Sequence, residues 1–223
     1  MIIAIDGPSG AGKSTLAKRL ARELGFTYLD TGALYRALAL KVLRQGVDLS
    51  DDTRMAELVG STAIDLHEER GKLEVWMDGQ DVAGDIRTPE VSQTASKASA
   101  LKSVRARLLE LQRDLGKRGN VVAEGRDIGT VVFPDAEVKI FLDASAGERA
   151  RRRYQELCAA GRAVQLAETL REMEERDRRD SERDLAPLCQ AADAVRIDSS
   201  AVDAEQVAAI VLDLVNQRKA RKN

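Results

Sequence analysis

The chain has 223 residues, 43% hydrophobic and 32% charged, with 35 Lys and Arg against 37 Asp and Glu. That apolar fraction excludes a disordered tail protein, and no apolar run approaches the ~18 residues of a membrane span. A formal net charge of −2 and only 3% aromatics argue against a protein that coats nucleic acid, which needs cationic grooves and stacking rings.

The length supports one substantial core, or one core with a small lobe. Two cysteines, Cys158 and Cys189, are too few for a disulfide framework, and the single histidine, His67, cannot form a zinc site alone. The opening run MIIAIDG has no basic flank and reads as a strand, not as a leader. These features predict a reduced, cytoplasmic chain with no membrane and no nucleic-acid partner. No extended apolar helix face asks for a second copy, so a monomer is expected.

In chain order, the apolar run at 2–5 is short and non-alternating, as are those at 121–123, 138–142 and 195–197. Such runs mark strands buried on both faces of a parallel sheet. Apolar spacings of three and four predict helices over 14–24, ending at Gly25, and over 33–43, ending near Gly46. From 62 to 86 alternation takes over, with Ile64/Leu66 and then Leu73/Val75/Met77. Glu69-Arg70-Gly71-Lys72 and Met77-Asp78-Gly79 supply the turns, the second an Asp-Gly hairpin signal. A polar helix follows Pro89 over 90–100, and others cover 104–115, 145–160 and 168–184. The last runs over 203–218, its basic end complementing the helix dipole. The basic tail 218–222 reads as dipole complement and solubility, not as a nucleic-acid site. Strands alternating with helices predict an α/β fold: a doubly wound parallel sheet with a small antiparallel β insert.

Gly7-Pro8-Ser9-Gly10-Ala11-Gly12-Lys13-Ser14 fits G-x-x-x-x-G-K-[ST] between a predicted strand and a predicted helix, the context of a phosphate-binding loop. Its glycines let several backbone N–H groups point at one anion, and the helix N-terminus adds a partial positive charge. Lys13 is expected to reach the β- and γ-phosphates of ATP, and the Ser14 hydroxyl to ligate Mg²⁺. Thr15 completes the ATP-binding segment. No Asn-Lys-x-Asp guanine-reading segment is present. After the strand at 121–123, Glu124-Gly125-Arg126-Asp127 falls at the strand's carboxyl edge, where open α/β sheets bind ligands.

Asp30-Thr31-Gly32-Ala33-Leu34-Tyr35-Arg36 opens the second helix. Asp30 or Thr31 could simply cap that helix, with Arg36 on the surface. Over 168–184, Arg176, Asp180 and Arg183 fall at i, i+4 and i+7 and share a predicted face. Arg149, Arg152 and Arg153 share another. Residues 145–183 hold ten Arg and nine Asp or Glu, a balance unlike the unbalanced stripe of a nucleic-acid helix. Segregated arginines with acidic neighbours suit a site that closes over a few phosphates. Phosphoryl transfer asks mainly for such charge stabilisation and alignment, so the residues point to a P-loop kinase with a small acceptor.

In this order, IDGPSGAGKST, LDTGALYR, DIRTPEV, EGRDIGTVVFPDA, KIFLDAS, ERDRRDSERDLAPL and IDSS make the whole chain resemble the bacterial cytidylate (CMP/dCMP) kinases, a P-loop nucleoside monophosphate kinase family. The resemblance implies that Thr31, Arg105 and Asp127 read the cytosine base. It implies that Arg36, Arg126 and Arg183 hold the acceptor phosphate, and that Asp180 and Arg176 contact ribose and phosphate. Arg149 to Gly161 would belong to a mobile lid, and Arg149 and Arg153 would join Lys13, Arg126 and Arg183 as catalytic residues. Asp198 to Ser200 would lie near the donor adenine. The implied organisation is a core at 1–60, an acceptor-binding insert at 61–100, and a second core part at 101–223 with its lid near 149–165. Two positions depart mildly from the family: Thr31 stands where Ser is common, and Glu124 where Asp is common. The implied activity is ATP-dependent phosphorylation of CMP and dCMP. The alternatives are a kinase for another small acceptor, of UMP/CMP, shikimate or dephospho-coenzyme A type, or a non-catalytic nucleotide switch.

Overall fold

The computed structural model describes residues 1–69, 72–117 and 119–220. The chain forms two compact units, one of Met1–Tyr28 with Gly119–Asn223 and the other of Leu29–Arg118.

The first unit is built on β1 (Ile2–Asp6), β6 (Val121–Gly125), β7 (Val138–Asp143) and β8 (Val195–Asp198). β2 (Thr27–Asp30) completes a five-stranded sheet of order β2-β6-β1-β7-β8. β1 runs parallel to both β6 and β7, with Ile3 beside Val122 and Val138 and Ile5 beside Glu124 and Ile140. Ile3, Ile5, Val122 and Ile140 are fully buried, as non-alternating apolar strands require. Around the sheet lie α1 (Lys13–Leu24), α6 (Ala146–Ala159), α7 (Leu166–Glu182) and α8 (Ala204–Ala220). α1 stops where predicted because Gly25 takes the left-handed conformation at φ 67°. α8 starts in a reciprocal cap: Asp203 accepts from the Gln206 amide at 2.8 Å, while Asp203 N–H donates to Gln206 Oε1 at 3.1 Å.

The second unit contains α2 (Thr31–Gln45), α3 (Asp52–Gly60), α4 (Pro89–Ala98) and α5 (Lys102–Gly116). It also holds the antiparallel sheet β3 (Ile64–Glu69), β4 (Lys72–Met77) and β5 (Gln80–Asp81). The alternating register pairs Ile64 with Met77 and Leu66 with Val75. Ile64, Val75 and Met77 are buried. The Asp78-Gly79 turn has φ of 51° and 79°, the left-handed pair a tight hairpin needs. The predicted turn at Arg70-Gly71 lies outside the described residues, as do Arg221 and Lys222 of the tail.

Two expectations change. The segment 51–60 has no predicted helix, yet α3 forms there, capped by Asp51 and burying Met55, Leu58 and Val59. The predicted helix over 168–184 ends at Glu182, leaving Arg183 extended at φ −65° and ψ 141°. The chain doubles back at that point: Leu188 N–H donates to the Asp180 carbonyl at 2.7 Å, and Arg183 Nε to that of Ala186 at 2.8 Å. Arg183 therefore does not extend the helical face of Arg176 and Asp180.

Backbone packing decides which glycines can change. A Cβ at Gly7 would lie 1.9 Å from the Leu142 carbonyl oxygen of the neighbouring strand, whereas one at Gly147, in the first turn of α6, meets nothing within 4 Å. Gly147→Ala should raise stability by up to about 1 kcal/mol, or a few degrees in Tm. Gly7→Ala should abolish the cooperative melt of wild-type protein; equal melting of both variants in calorimetry would contradict this packing.

Candidate active site

The carboxyl ends of β1 and β6 carry most of the chemistry of the first unit. Gly7, Gly10 and Gly12 take φ of 148°, 76° and 95°, which curls the loop between β1 and α1. The N-cap of α1, Gly12, offers no side-chain acceptor to the helix amides. Lys13 is buried, and its Nζ donates to the Pro8 carbonyl at 2.6 Å. Burial first, then Arg126 and Arg176, push the Lys13 ammonium down to about 7, against the opposing pull of Glu124 and Asp6. Ser14 and Thr15 are exposed on the first turn.

At the end of β6, the buried Glu124 accepts a hydrogen bond from Tyr28 Oη at 2.6 Å. Arg126 donates through Nε to Asp180 Oδ2 at 2.9 Å and through Nη1 to the Gly125 carbonyl at 3.3 Å. Burial disfavours the Arg126 charge, but Asp180 outweighs it and holds the guanidinium protonated. The same balance acts on Asp180: burial raises it, while Arg126, Arg176 and Arg183 bring it below the usual carboxylate range. Arg176 Nε lies 3.7 Å from Asp180, and Arg183 Nη2 lies 3.6 Å from Asp127 Oδ1. Asp6 accepts from the Ile128 and Gly129 amides, both at 2.7 Å. Burial raises its carboxyl to about 6, although those two amides favour the charged form.

Helices α6 and α7 bring further groups to the loop. Arg149 is buried and donates to the carbonyls of Ala144, at 2.9 Å, and Ser9, at 3.0 Å. It also pairs with Asp177, whose other oxygen accepts from the Ser9 amide at 3.3 Å. Arg152 holds Ser199 through its hydroxyl, at 3.0 Å, and its carbonyl, at 2.6 Å. Ser199 Oγ in turn donates to the Ala11 carbonyl at 3.1 Å. Arg153 pairs with Glu156 at 3.1 Å on the same helix.

In the second unit, Asp30 is the cap of α2, accepting from the Ala33 amide at 2.9 Å. Its other oxygen accepts from Arg36 Nη2 at 2.8 Å, so Arg36 is folded back and half-buried and not a surface residue. Gly32 makes this possible, since a Cβ there would lie 2.8 Å from Arg36 Nη1. Thr31 is buried in the first turn of α2. Arg105 is buried on α5, donates to the Ser99 carbonyl at 3.3 Å, and lies 6.0 Å from the centre of the Tyr35 ring.

The predicted site residues thus fall into two groups. Lys13, Arg126, Asp127, Arg176, Asp180 and Arg183 share one electrostatic neighbourhood in the first unit, Arg149 reaches the phosphate loop from α6, and Arg153 pairs with Glu156 on that helix. Thr31, Arg36 and Arg105 belong to the second unit. Asp6, Tyr28 and Asp177 carry no sequence-based assignment, though Asp6 and Asp177 sit inside the recognised motifs. Ser199 lies in the Asp198–Ser200 segment that the resemblance sets near the donor adenine, and Tyr28 had no spacing signal that could have found it.

Residues 3–217 match the family model for cytidylate kinase. The chain belongs to the cytidylate kinase family. It is 52% identical over 215 residues to a cytidylate kinase of Pelotomaculum thermopropionicum, covering 96% of this chain and 95% of that protein. It is 51% identical over 221 residues to the cytidylate kinase of Citrifermentans bemidjiense, covering 99% and 95%. A shikimate kinase structure from Acinetobacter baumannii superposes at a TM-score of 0.50 with 16% identity, over 98% of this chain and 94% of that one, a likeness of fold. By family the chain is a nucleoside monophosphate kinase, a phosphotransferase.

The Asp6 carboxyl gives this kinase a distinctive acid response. A folded-state value near 6 against an ordinary 3.8 means the native state binds the extra proton between those limits. The contribution of Asp6 to stability therefore falls as pH rises from about 4 to 6, by on the order of 2–3 kcal/mol. Urea melts of wild type and Asp6→Asn at pH 4.5 and 7 should show the wild-type advantage shrinking with pH; an advantage that grows would reverse the sign.

Proposed function

We propose that the chain transfers the γ-phosphoryl group of ATP to a phosphate oxygen of CMP or dCMP, giving ADP and the cytidine diphosphate. The observation that carries this reading is the buried Lys13 of the phosphate loop beside the Arg126–Asp180–Arg176 cluster, in a chain of this family. A phosphate monoester oxygen is already a competent nucleophile, so the transfer needs no general base. As it bonds to the γ-phosphorus, the bond to the bridging oxygen of ADP breaks in line. Bringing two polyanions together is the main electrostatic cost, and the clustered cations offset it.

The donor side would consist of Gly7, Pro8, Ser9, Gly10, Ala11, Gly12, Lys13, Ser14 and Thr15. The residues that would hold the acceptor phosphate and ribose are Arg36, Arg126, Arg176, Asp180 and Arg183. Arg149 and Arg153 would act from the lid near 149–165, Arg149 with two of its donor groups already committed to backbone carbonyls and Asp177. Mg²⁺ would arrive with ATP. Among the described residues no group of three or more His, Cys, Asp or Glu could hold a metal alone. The exposed Ser14 hydroxyl beside Lys13 suits an ion that is shared with phosphates. When bound, that ion supplies neutralisation of phosphate charge.

Base chemistry supports the cytosine preference. Cytosine presents an amino donor beside a ring acceptor, and uracil the reverse. Asp127 and the Thr31 hydroxyl can accept from the amino group, and Arg105 can donate to N3 or O2. We further infer a monomer in a reducing cytoplasm, where the exposed thiols of Cys158 and Cys189 stay free. Among the described residues no helix is long and apolar enough to cross a membrane.

A coupled ADP-release assay over a panel of nucleoside monophosphates, shikimate and dephospho-coenzyme A tests the reading. CMP-dependent turnover supports it, and slow acceptor-independent hydrolysis overturns it in favour of a switch. Lys13→Ala should lower kcat by about three orders of magnitude or more, through loss of a charge that stabilises the transferring group. Asp127→Asn should lower the CMP/UMP ratio of kcat/KM by roughly tenfold or more. An unchanged ratio in that variant would remove Asp127 from base reading.

A further inference from the structure

A turn of helix has amides at its start with no partner inside the turn, and an Asp at the cap position ordinarily accepts from them. Residues Ile128–Val132 form such a turn, a single π-helical one, closed by the Phe133 amide on the Ile128 carbonyl at 2.7 Å. Asp127 stands at its cap position but makes no capping bond with its side chain. Asp6, 121 residues earlier in the chain at the end of β1, does the capping: Oδ1 accepts from Ile128 and Oδ2 from Gly129. Both oxygens are engaged and the side chain is buried. The Asp127 carboxylate meanwhile faces Arg183, at 3.6 Å.

We propose that Asp6 is a positioning residue for acceptor selection: by capping the Ile128–Val132 turn in place of Asp127, it keeps the Asp127 carboxylate turned toward base recognition. The inference rests on the reading of Asp127 as a base-contacting residue. It has a definite physical consequence. Without the Asp6 acceptor, the buried Ile128 and Gly129 amides lose their partner, and the residue at the cap position whose side chain could take over is Asp127. A carboxylate drawn onto those amides no longer accepts from a cytosine amino group. Because Asp6 directly precedes the phosphate loop, the same backbone segment would set both donor binding and acceptor choice.

The experiment measures kcat/KM for CMP and for UMP, with saturating ATP, in wild type, Asp6→Asn, Asp127→Asn and the double variant. Asn at 6 keeps one acceptor but points an amino group at the second amide, so one capping bond is lost. The expected result is a CMP/UMP ratio lowered about tenfold by Asp6→Asn, lowered also by Asp127→Asn, and no lower in the double variant than in Asp127→Asn. A merely structural Asp6 would depress both substrates alike and leave the ratio intact, which overturns the proposal provided Asp127→Asn lowers it. If Asp127→Asn itself leaves the ratio unchanged, the base-reading role fails first and the proposal with it. Should Asp6→Asn not fold, Asp6→Glu keeps the charge but moves the acceptor oxygens off the two amides. A CMP/UMP ratio lowered about threefold in that variant supports the proposal, and an unchanged ratio overturns it.

Discussion

Like charges do not gather in a protein interior unless something holds them there. The half-buried Arg126 and Arg176 act on the buried Lys13, and the cost appears in the Lys13 ammonium, which burial and these two cations draw down to about 7. Asp180 is the counterweight that makes the arrangement possible, since it binds Arg126 directly and lies within reach of Arg176. Glu124, anchored by Tyr28, serves Lys13 in the same way from β6. Much of the first unit reads as scaffolding for this cluster: a parallel sheet that delivers the strand ends, and helix α7, which brings Asp180 and Arg176.

The same economy governs the backbone around the phosphate loop. Gly7 touches the Leu142 carbonyl so closely that no side chain fits, and Gly10 lies equally close to Arg149 and Met173. The loop is thereby packed between β7 and the two helices that follow it. Asp177 and Ser199 add the polar seams, one to the Ser9 amide and the other to the Ala11 carbonyl. A loop held on so many sides spends little conformational freedom when it receives an anion, which is preorganisation in its physical sense.

Much of this could be read from the chain. The loop motif, the buried strands at 2–5 and 138–142, and the hairpin at Asp78-Gly79 are local signals, each carried by neighbours in sequence. The helix α3 also had a local signal in Met55, Leu58 and Val59, but three positions in a nine-residue element are too few to separate from loop composition. The end of α7 was beyond periodicity, because a long-range fold-back through Leu188 and Ala186 terminates it. Asp6 and Asp177 could not be assigned for a related reason. Their partners lie 122 and 168 residues away, at Ile128 and Ser9, and single-chain spacing carries no information on such pairs.

The early stop of α7 has a geometric meaning. On one continuous helix, Arg176 and Arg183 would stand about 10 Å apart along a straight axis, a ladder suited to an extended polyanion. With the helix halted at Glu182, Arg183 leaves that axis, and Arg126, Arg176 and Arg183 all act on the single carboxylate of Asp180. Charge strung along a rod becomes charge gathered about a point. A phosphate group is a compact, nearly spherical dianion, and convergence of this kind distinguishes its recognition from the recognition of a nucleic-acid strand. A chain of almost balanced charge thus gathers its cations at one point without carrying an extended basic stripe.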